Sequence, residues 1–333
     1  MNKQKTVLVI GAKGGIGHES CVALQRHGWR VRALVRQPKA ATQDGIEWLS
    51  GDAMQADDVL RAAAGVQWIV HAVNPPGYRD WNKLVLPMLD NTIAAAKAVG
   101  AGIVLPGTVY NFGPDAFPLL SEHSPQHPLT RKGKIRVEME QRLATAAKQG
   151  VPVLILRCGD FFGPNAGNNW LAQGLIKQGV PVRAVSYPGQ REIGHSWAYL
   201  PDVGKTLARL LDRESELAPF EVFHFGGYWL DGNQMIAALG RAANNPGMVA
   251  KRFPWWLVTL AAPFMQTLRE MREMRYLWRG PVQLDDQKIT RFLGGNLYTP
   301  IDDALRATLI GQGCLQASAQ PSLPPSRGQL KTV

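Results

Sequence analysis

The sequence predicts an α/β protein with a doubly wound parallel sheet, and three observations lead to that fold class. Short β-branched apolar runs alternate with longer segments of helical period through the first half of the 333-residue chain. A glycine-rich turn directly follows the first apolar run. The composition is 45% apolar, which is enough for one large core. A strand and helix alternation of this kind requires helices on both faces of a parallel sheet.

Five short apolar runs in the first half are predicted as buried parallel strands: Thr6–Gly11, Arg30–Val35, Trp68–Val73, Gly102–Gly107 and Val151–Arg157. The segments of helical period between them are Ile16–Gly28, Met54–Ala64, Leu84–Val99 and Arg131–Lys148. The second half carries one further strand candidate, Phe220–Gly227, and a helical segment, Pro254–Gly280, that Pro263 interrupts.

These patterns divide the chain into three regions. Residues 1–160 form the core of the doubly wound sheet, and residues 161–312 form a small substrate-binding region whose pieces return to the sheet edge. Residues 313–333 are rich in Pro, Ser and Gln and are predicted to be a disordered tail.

The composition narrows the function classes. The net charge is +11, but the basic residues are scattered and no nucleic-acid-binding motif accompanies them, so we expect an anionic cofactor or substrate and no nucleic acid. Three widely separated cysteines suggest neither disulfides nor a zinc site, which fits a reducing cytoplasm. No signal peptide and no transmembrane segment are expected, because the longest apolar run has twelve residues and two prolines.

The strongest motif is the turn after the first strand. Gly11, Gly14 and Gly17 lie between an apolar strand and a helix, with Gly15 and Ile16 completing the turn. A dinucleotide site needs glycine at such positions for the tight turn, for close approach of the pyrophosphate and for helix packing. The motif therefore predicts a Rossmann-type nucleotide-binding fold.

The Gly-x-x-Gly-x-x-Gly spacing resembles the extended and atypical short-chain dehydrogenases/reductases, of the NAD-dependent epimerase/dehydratase kind. Four further stretches over roughly the first 230 residues support this resemblance. Asp52 resembles the adenine-side aspartate, and His71–Val73 the strand end under the nicotinamide ribose. Val109–Gly113 is similar to the family's Val-Tyr-Gly turn, Leu156–Pro164 to its Leu-Arg…Gly-Pro stretch, and Asp202 to an aspartate that begins a helix.

The end of the second strand indicates which dinucleotide is bound. An NAD site places an acidic residue there, whereas a 2′-phosphate needs positive charge. Here Val35 occupies the acidic position, Arg36 follows it, and Lys13 lies in the glycine turn. We therefore expect NADP, with NAD as the alternative, and we place Asp52 and Ala53 on the adenine side by the resemblance.

The resemblance also implies a catalytic Ser or Thr with a Tyr-x-x-x-Lys pair on a helix, in which the lysine lowers the pKa of the tyrosine and holds the nicotinamide ribose. We assign Thr130 and Lys134 to that pair, because they are four residues apart at the start of a predicted helix. Threonine cannot replace tyrosine as an acid or base, so the pair is altered. Lys134 remains a candidate for holding the ribose.

The other charged residues of this helix have a simpler interpretation. Lys132 is expected to be solvated, and Lys134 with Glu138 or Arg136 with Glu140 would form surface pairs.

The family's serine position is occupied by Pro106, which has no hydroxyl. Thr108 and Tyr110 lie in the same loop at a strand's carboxyl end, so either is a candidate substitute for proton transfer. For Tyr110 we favour a packed aromatic side chain over a proton donor.

Three functions remain open. The first is an NADP-dependent reductase, epimerase or dehydratase that acts on a small, anionic or nucleotide-sugar substrate. The second is a regulator that senses NADP(H) through a partner protein without turnover, and the third is an inactive scaffold. A homodimer is also possible, because proteins of the resembled family often form dimer contacts through the helix that carries Lys134.

Two further patterns have competing interpretations. His123 and His127 lie beside prolines that prevent a metal-binding helix, so they are expected in a polar loop, and His195 is expected to line or pack near the substrate cleft. The four arginines from Arg269 to Arg279, next to a tryptophan pair, favour a helix packed on the core with a solvated basic edge. The alternatives are a surface for anionic membranes and an arginine that binds an anionic substrate such as a nucleotide-sugar phosphate.

Overall fold

The computed structural model describes residues 4–75, 80–167, 169–295 and 298–316. Its strands are β1 (Thr6–Ile10), β2 (Arg30–Val35), β3 (Thr42–Gln43), β4 (Ile46–Ser50), β5 (Trp68–His71), β6 (Gly102–Thr108), β7 (Leu119–Leu120), β8 (Val153–Cys158), β9 (Asp160–Phe162), β10 (Ala184–Tyr187), β11 (His195–Tyr199), β12 (Phe220–Phe225), β13 (Tyr228–Leu230), β14 (Val249–Arg252) and β15 (Gln283–Leu284). Its α-helices are α1 (Gly15–Arg26), α2 (Ala56–Ala63), α3 (Trp81–Val99), α4 (Arg131–Lys148), α5 (Leu200–Asp212), α6 (Gly232–Ala242), α7 (Trp255–Ala261), α8 (Gln266–Glu273), α9 (Gln287–Leu293) and α10 (Ile301–Gly311).

Eight strands form the central sheet in the order β12-β8-β6-β5-β1-β2-β4-β3. Every neighbouring pair is parallel except β3 with β4. The chain order reverses between β1 and β5, so loops from both halves of the sheet meet at the carboxyl ends of these two strands, where such sheets bind ligands. The predicted Rossmann-type doubly wound sheet is confirmed.

Two apolar cores cover the two faces of this sheet. Residues of α1 and α5 pack with one face, and residues of α2, α3 and α4 pack with the other. Strands β1 and β8 are buried along their whole length, which explains their apolar runs without alternation, Val7–Ile10 and Val153–Leu156.

The later part of the chain both extends the sheet and builds a third core. Strand β12 pairs with β8 at the sheet edge, and α5 packs so closely on α1 that a Cβ on Gly204 would lie 2.6 Å from the Glu19 carbonyl oxygen. The third core joins residues of β9, β10, β11, α6 and α10, and it includes the buried Cys314. The rest of the predicted tail, from residue 317 on, lies outside the described residues.

Helix α4 has the predicted bounds, and the helical segment from Pro254 is divided at Pro263 into α7 and α8 as expected. None of the helices in the described ranges is long and apolar enough to cross a membrane.

Candidate active site

The glycine turn between β1 and α1 is packed directly against the end of β5. Gly11 has a φ of +92°, and a Cβ there would lie 2.7 Å from backbone atoms of Ala72 and Val73. A Cβ on Gly17 would lie 2.2 Å from the Gly11 carbonyl oxygen. Glycine is therefore required at both positions for backbone proximity, as the sequence motif implies.

Helix α1 begins in this turn with an open amino terminus. Its N-cap residue is Gly14, which supplies no side-chain oxygen, and the first helical turn contains no acidic residue. The first N–H groups of a helix have no partner within the helix and carry the positive end of its dipole. The turn therefore offers donors to an anion such as a pyrophosphate. Ile16 packs beneath it against the core.

Positive charge lies beside this turn, at the end of β2. The Lys13 ammonium donates a hydrogen bond to the Gln37 carbonyl oxygen over 2.8 Å, which brings Lys13 to the end of that strand. The Arg36 side chain is exposed and forms no hydrogen bond or ion pair with the described part of the chain. The preceding residue, Val35, is apolar and buried. The position at which an NAD site has a carboxylate therefore carries none.

The turn after β4 lies next along the same sheet edge. Asp52 accepts a hydrogen bond from the Met54 backbone N–H over 2.9 Å, and the Ala53 carbonyl oxygen accepts one from the Asn91 amide over 2.9 Å. These contacts fix the backbone of both residues at the position where the sequence places the adenine side.

His71 ends β5 beneath the glycine turn and is fully buried. Its Nδ1 lies 2.8 Å from the Thr92 hydroxyl oxygen, and its Nε2 has no hydrogen-bond partner among the described residues. Burial, and secondly the positive charge of Arg136, lower the pKa of His71 to about 3. The imidazole is therefore neutral, and Ala72 and Val73 continue from it as a half-buried floor.

The structure places Thr130 and Lys134 outside this floor. Thr130 is the N-cap of α4, and its buried hydroxyl oxygen accepts a hydrogen bond from the Gly133 N–H over 3.0 Å. Lys134 is exposed. At 100° per residue it lies about 200° around the helix from both Lys132 and Arg136, on the opposite side.

Lys132 and Arg136 are the residues of α4 that face inward. Both are buried, with Lys132 only 3% exposed, so the expectation of a solvated Lys132 is wrong. The Lys132 ammonium lies 6.0 Å from the centre of the Trp81 ring, and the Arg136 guanidinium lies 5.1 Å from a Trp81 ring. Arg136 also donates to Asn74 Oδ1 over 3.3 Å, which places it just beyond the end of β5.

A carboxylate from the C-terminal region neutralises Lys132. Glu270 of α8 is itself buried, and its Oε2 lies 3.1 Å from the Lys132 ammonium. Burial lowers the pKa of Lys132, while the Glu270 carboxylate acts in the opposite direction. A lysine in this environment is a proton donor that is easier to deprotonate than a solvated one.

Two buried contacts hold α4 in place. The Arg157 guanidinium binds Glu140 through both carboxylate oxygens, at 3.0 and 2.6 Å. The expected surface pairs are not formed, because Glu140 binds Arg157 and Glu138 instead binds Arg142 over 2.8 Å.

Thr108 and Tyr110 lie beside the start of α4. The Thr108 hydroxyl oxygen accepts a hydrogen bond from the Tyr110 backbone N–H over 3.3 Å, so it stabilises the turn after β6. A Cβ on Gly133 would lie 2.4 Å from the Tyr110 carbonyl oxygen, so α4 packs on this turn. The Tyr110 side chain is half-buried against the third core.

Two other predicted positions lie away from this centre. His195 is buried, with Nε2 2.7 Å from Asp160 Oδ2, and its ring stacks on Trp278 at a centroid distance of 4.0 Å. His127 is exposed and pairs with Asp115 over 2.8 Å. Among the described residues no group of three His, Cys, Asp or Glu side chains could hold a metal ion.

A cavity of about 970 Å³ opens in the C-terminal region and combines aromatic rings with positive charge. Its aromatic and basic lining residues are Tyr187, Phe253, Trp255, Trp278, Arg191, Arg252, Arg275 and Arg279. The Arg275 guanidinium lies 5.0 Å from the Trp255 ring, and Trp278 separates the cavity from His195. Such a lining suits a ligand that is both flat and anionic.

The spacing of four residues did not identify the inward pair, because Thr130 with Lys134 and Lys132 with Arg136 fit it equally well. The apolar period of the helix does distinguish them. The buried residues Met139, Leu143 and Ala146 continue from Lys132 and Arg136 at steps of three and four, which is the spacing of one helix face. Glu270 and Trp81 carry no comparable signal in the sequence.

Comparison with known proteins gives consistent results. A model of the NAD dependent epimerase/dehydratase family matches residues 7–226. A 3-diazoavenalumate denitrifying reductase of a Streptomyces species is 29% identical over 180 residues, which are 48% of this chain and 58% of that protein. An uncharacterised protein of Sinorhizobium fredii is 25% identical over 214 residues, 57% of this chain and 60% of its own length. The chain thus spans less than two thirds of these relatives.

Solved structures share the fold at low identity. MoeE5 in complex with UDP-glucose and NAD has a TM-score of 0.72 at 17% identity, covering 92% of this chain and 98% of MoeE5. The UDP-glucose 4-epimerase of Bifidobacterium longum, in complex with NAD+ and UDP, has a TM-score of 0.71 at 15% identity and covers 93% of this chain and 100% of that chain.

Proposed function

Because the chain belongs to the NAD-dependent epimerase/dehydratase family, we propose that it binds NADP(H) and catalyses a reduction, epimerisation or dehydration at a carbonyl or hydroxyl carbon. The observation that carries the proposal is the inward pair of α4. Lys132 and Arg136 have the spacing of the family's Tyr-x-x-x-Lys pair and both lie against Trp81, and Arg136 donates to Asn74, the residue after the floor. We assign the two roles of that pair to Lys132 and Arg136.

The residues of the glycine turn fit a dinucleotide. Backbone atoms occupy the space that a Cβ on Gly11 or Gly17 would fill, so the turn is tightly packed. It leaves the amino terminus of α1 uncapped by any side chain. That terminus would hold the pyrophosphate. The buried Nε2 of His71, which has no hydrogen-bond partner among the described residues, would be available to a polar group at the nicotinamide end.

The charges at the end of β2 support NADP over NAD. MoeE5 and the Bifidobacterium enzyme are complexed with NAD, but in this chain Lys13 and Arg36 lie where a carboxylate would bind the ribose hydroxyls. Charge-assisted contacts of this kind contribute about 1.5–3 kcal/mol each. The side chains of Lys13 and Arg36 would therefore hold the 2′-phosphate.

The bound nicotinamide supplies or accepts a hydride. In the reducing direction, Lys132 donates a proton to the substrate oxygen as that oxygen gains negative charge, and the product is a hydroxyl group. The neutral amine is then protonated again from solvent. The Glu270 carboxylate stabilises the ammonium before transfer, and Arg136 orients the ribose from the end of β5.

The lining of the large cavity supports an anionic substrate with a flat ring, such as a nucleotide sugar. The half-buried Phe253 and Trp255 offer stacking surfaces, and Arg275 and Arg279 can bind phosphate. The similarity to a denitrifying reductase favours hydride donation as the chemistry. The Streptomyces protein is matched over only part of its length, so its substrate is not transferred to this chain.

The test is calorimetric titration with NADP, NADPH, NAD and NADH. We expect Arg36→Ala to weaken NADP(H) by at least tenfold and to leave NAD(H) unchanged. Arg136→Met should weaken all four dinucleotides, whereas Lys134→Ala, on the opposite face of α4, should weaken none. The reverse result, with Lys134→Ala weakening binding and Arg136→Met neutral, would disprove the assignment of Arg136.

Turnover separates the enzyme from the regulator. NADPH oxidation with carbonyl and nucleotide-sugar substrates should fall at least a hundredfold in Lys132→Met while dinucleotide affinity is kept. Tight NADP(H) binding without turnover on any substrate, together with a partner protein whose affinity depends on the redox state, would instead establish the sensing function.

A further inference from the structure

Helix α7 and the turn after it expose an unusual number of large apolar side chains. Trp256, Leu257, Leu260, Phe264 and Met265 are 71, 47, 66, 88 and 54% exposed. We call these five residues the docking face. They follow one another within ten positions, whereas the other large exposed apolar residues of the described chain are scattered singly.

The docking face is held on a fixed support. Val258 and Ala262 of the same segment are buried, and the Trp255 indole N–H donates to the Pro188 carbonyl oxygen over 2.6 Å. One side of the helix is therefore anchored in the protein. The apolar side chains on its other side are exposed to water, which is unfavourable in free energy. Burial against a partner surface would remove this unfavourable exposure.

The exposed charges of the chain segment that carries the docking face have one sign. Between residues 249 and 280, all the exposed charged side chains are basic: Lys251, Arg252, Arg269, Arg272 and Arg279. The two acidic residues in that range are not exposed, since Glu270 binds Lys132 over 3.1 Å and Glu273 binds Arg131 over 2.8 Å.

We propose that the docking face rests on the surface of an anionic lipid bilayer. A short helix with Trp, Leu and Phe on one side and basic residues beside it is suited to the boundary between head groups and acyl chains. The basic residues favour anionic over neutral head groups, because each positive charge is attracted to the negatively charged membrane surface. A second copy of this chain would bring the same positive charges together, so charge complementarity disfavours it as the occupant.

The docking face lies next to the large cavity in the chain. Arg252, Phe253 and Trp255 line the large cavity, and Trp256 directly follows them in the chain. A protein bound through the docking face would therefore hold that cavity close to the bilayer.

The experiment is co-sedimentation of the purified chain with phosphatidylcholine vesicles and with vesicles containing about 30 mol % phosphatidylglycerol. We expect binding to the anionic vesicles only, weakened by salt because exposed charges are screened. Leu260→Ser and Phe264→Ser should each weaken the partition coefficient about tenfold, since each removes a side chain from the apolar phase. Arg269→Gln combined with Arg272→Gln should weaken it by about tenfold as well.

Matched controls come from two helices that cover the central sheet. Leu60→Ser removes an exposed leucine of α2, and Arg26→Gln removes an exposed arginine of α1. Both should bind vesicles like the original chain. Circular dichroism and urea midpoints would show that the docking-face variants remain folded, as expected for exposed positions.

Two outcomes would overturn the proposal. One is the absence of sedimentation with anionic vesicles at low salt. The other is a concentration-dependent dimer, seen by analytical ultracentrifugation, that Leu260→Ser dissociates while vesicle binding is unaffected, because the docking face would then be the contact between two copies.

Discussion

Replacing Glu270 by Gln should destabilise the protein through Lys132, which would lose the carboxylate that offsets its burial. The ammonium and the carboxylate oxygen are 3.1 Å apart, so their attraction is about 5 kcal/mol at an effective dielectric constant of about 20. The amide of Gln still accepts a hydrogen bond, and Glu273 adds some negative charge nearby. We therefore expect a loss of about 2–4 kcal/mol in the free energy of unfolding by urea at pH 7.

A double-mutant cycle isolates the pair. Lys132→Met removes the charge that Glu270 balances, so the double variant should be at least about 2 kcal/mol more stable than the sum of the single effects. Glu138→Gln serves as the control, because the Glu138–Arg142 pair lies on the exposed side of the same helix and should cost less than about 1 kcal/mol. A coupling below about 0.5 kcal/mol would refute the view that Glu270 neutralises a buried ammonium.

The pH dependence of the unfolding free energy is a second, independent test of the Lys132–Glu270 pair. Burial lowers the pKa of Lys132 in the folded state, so the unfolded chain binds more protons and stability from this group rises as pH approaches about 10.4. Removing the Glu270 carboxylate lowers that pKa further. The difference between Glu270→Gln and the original chain should therefore shrink from pH 7 to about pH 10.

Three further predictions concern the glycine turn, the buried histidines and the start of α4. Gly17→Ala would place a Cβ 2.2 Å from a backbone oxygen, so NADPH affinity should fall at least tenfold by calorimetry, whereas Gly247→Ala, whose nearest atom is 4.0 Å away, should leave it unchanged. Burial, as the largest cause, lowers the pKa of His71 and His224 to about 3, so each should cost about 2 kcal/mol of stability between pH 7 and pH 5 as the unfolded chain takes up protons; His224→Gln should remove about half of that acid sensitivity in urea titrations. Thr130→Ala should lower the unfolding free energy by about 1 kcal/mol through loss of the N-cap, and Thr130→Ser should restore it.

The sequence predicted the parts of the fold in which local pattern and burial agree. Strand β1, the glycine turn and α1 form one contiguous unit whose glycines are required by backbone contacts, so the motif alone located them. Helix α4 was also predicted with its bounds. The side of α4 that faces inward was not predicted, because Thr130 with Lys134 and Lys132 with Arg136 have the same spacing, and only the burial of the neighbouring turns distinguishes the two pairs.

The segment that sequence patterns describe least contributes to three different parts of the molecule. Trp255 and Arg275 line the large cavity, Phe264 belongs to the docking face, and Glu270 balances Lys132 in the first turn of α4. These contacts join residues that are distant in the chain, 138 positions apart for Glu270 and Lys132, so no local period records them. Because α7 and α8 are consecutive in the chain, we expect a surface that binds the docking face to displace the helix that supplies Glu270. Vesicle binding should therefore change the pH dependence of NADPH turnover in the original chain and leave it unchanged in Glu270→Gln, which is measured by repeating the activity assay with anionic vesicles present.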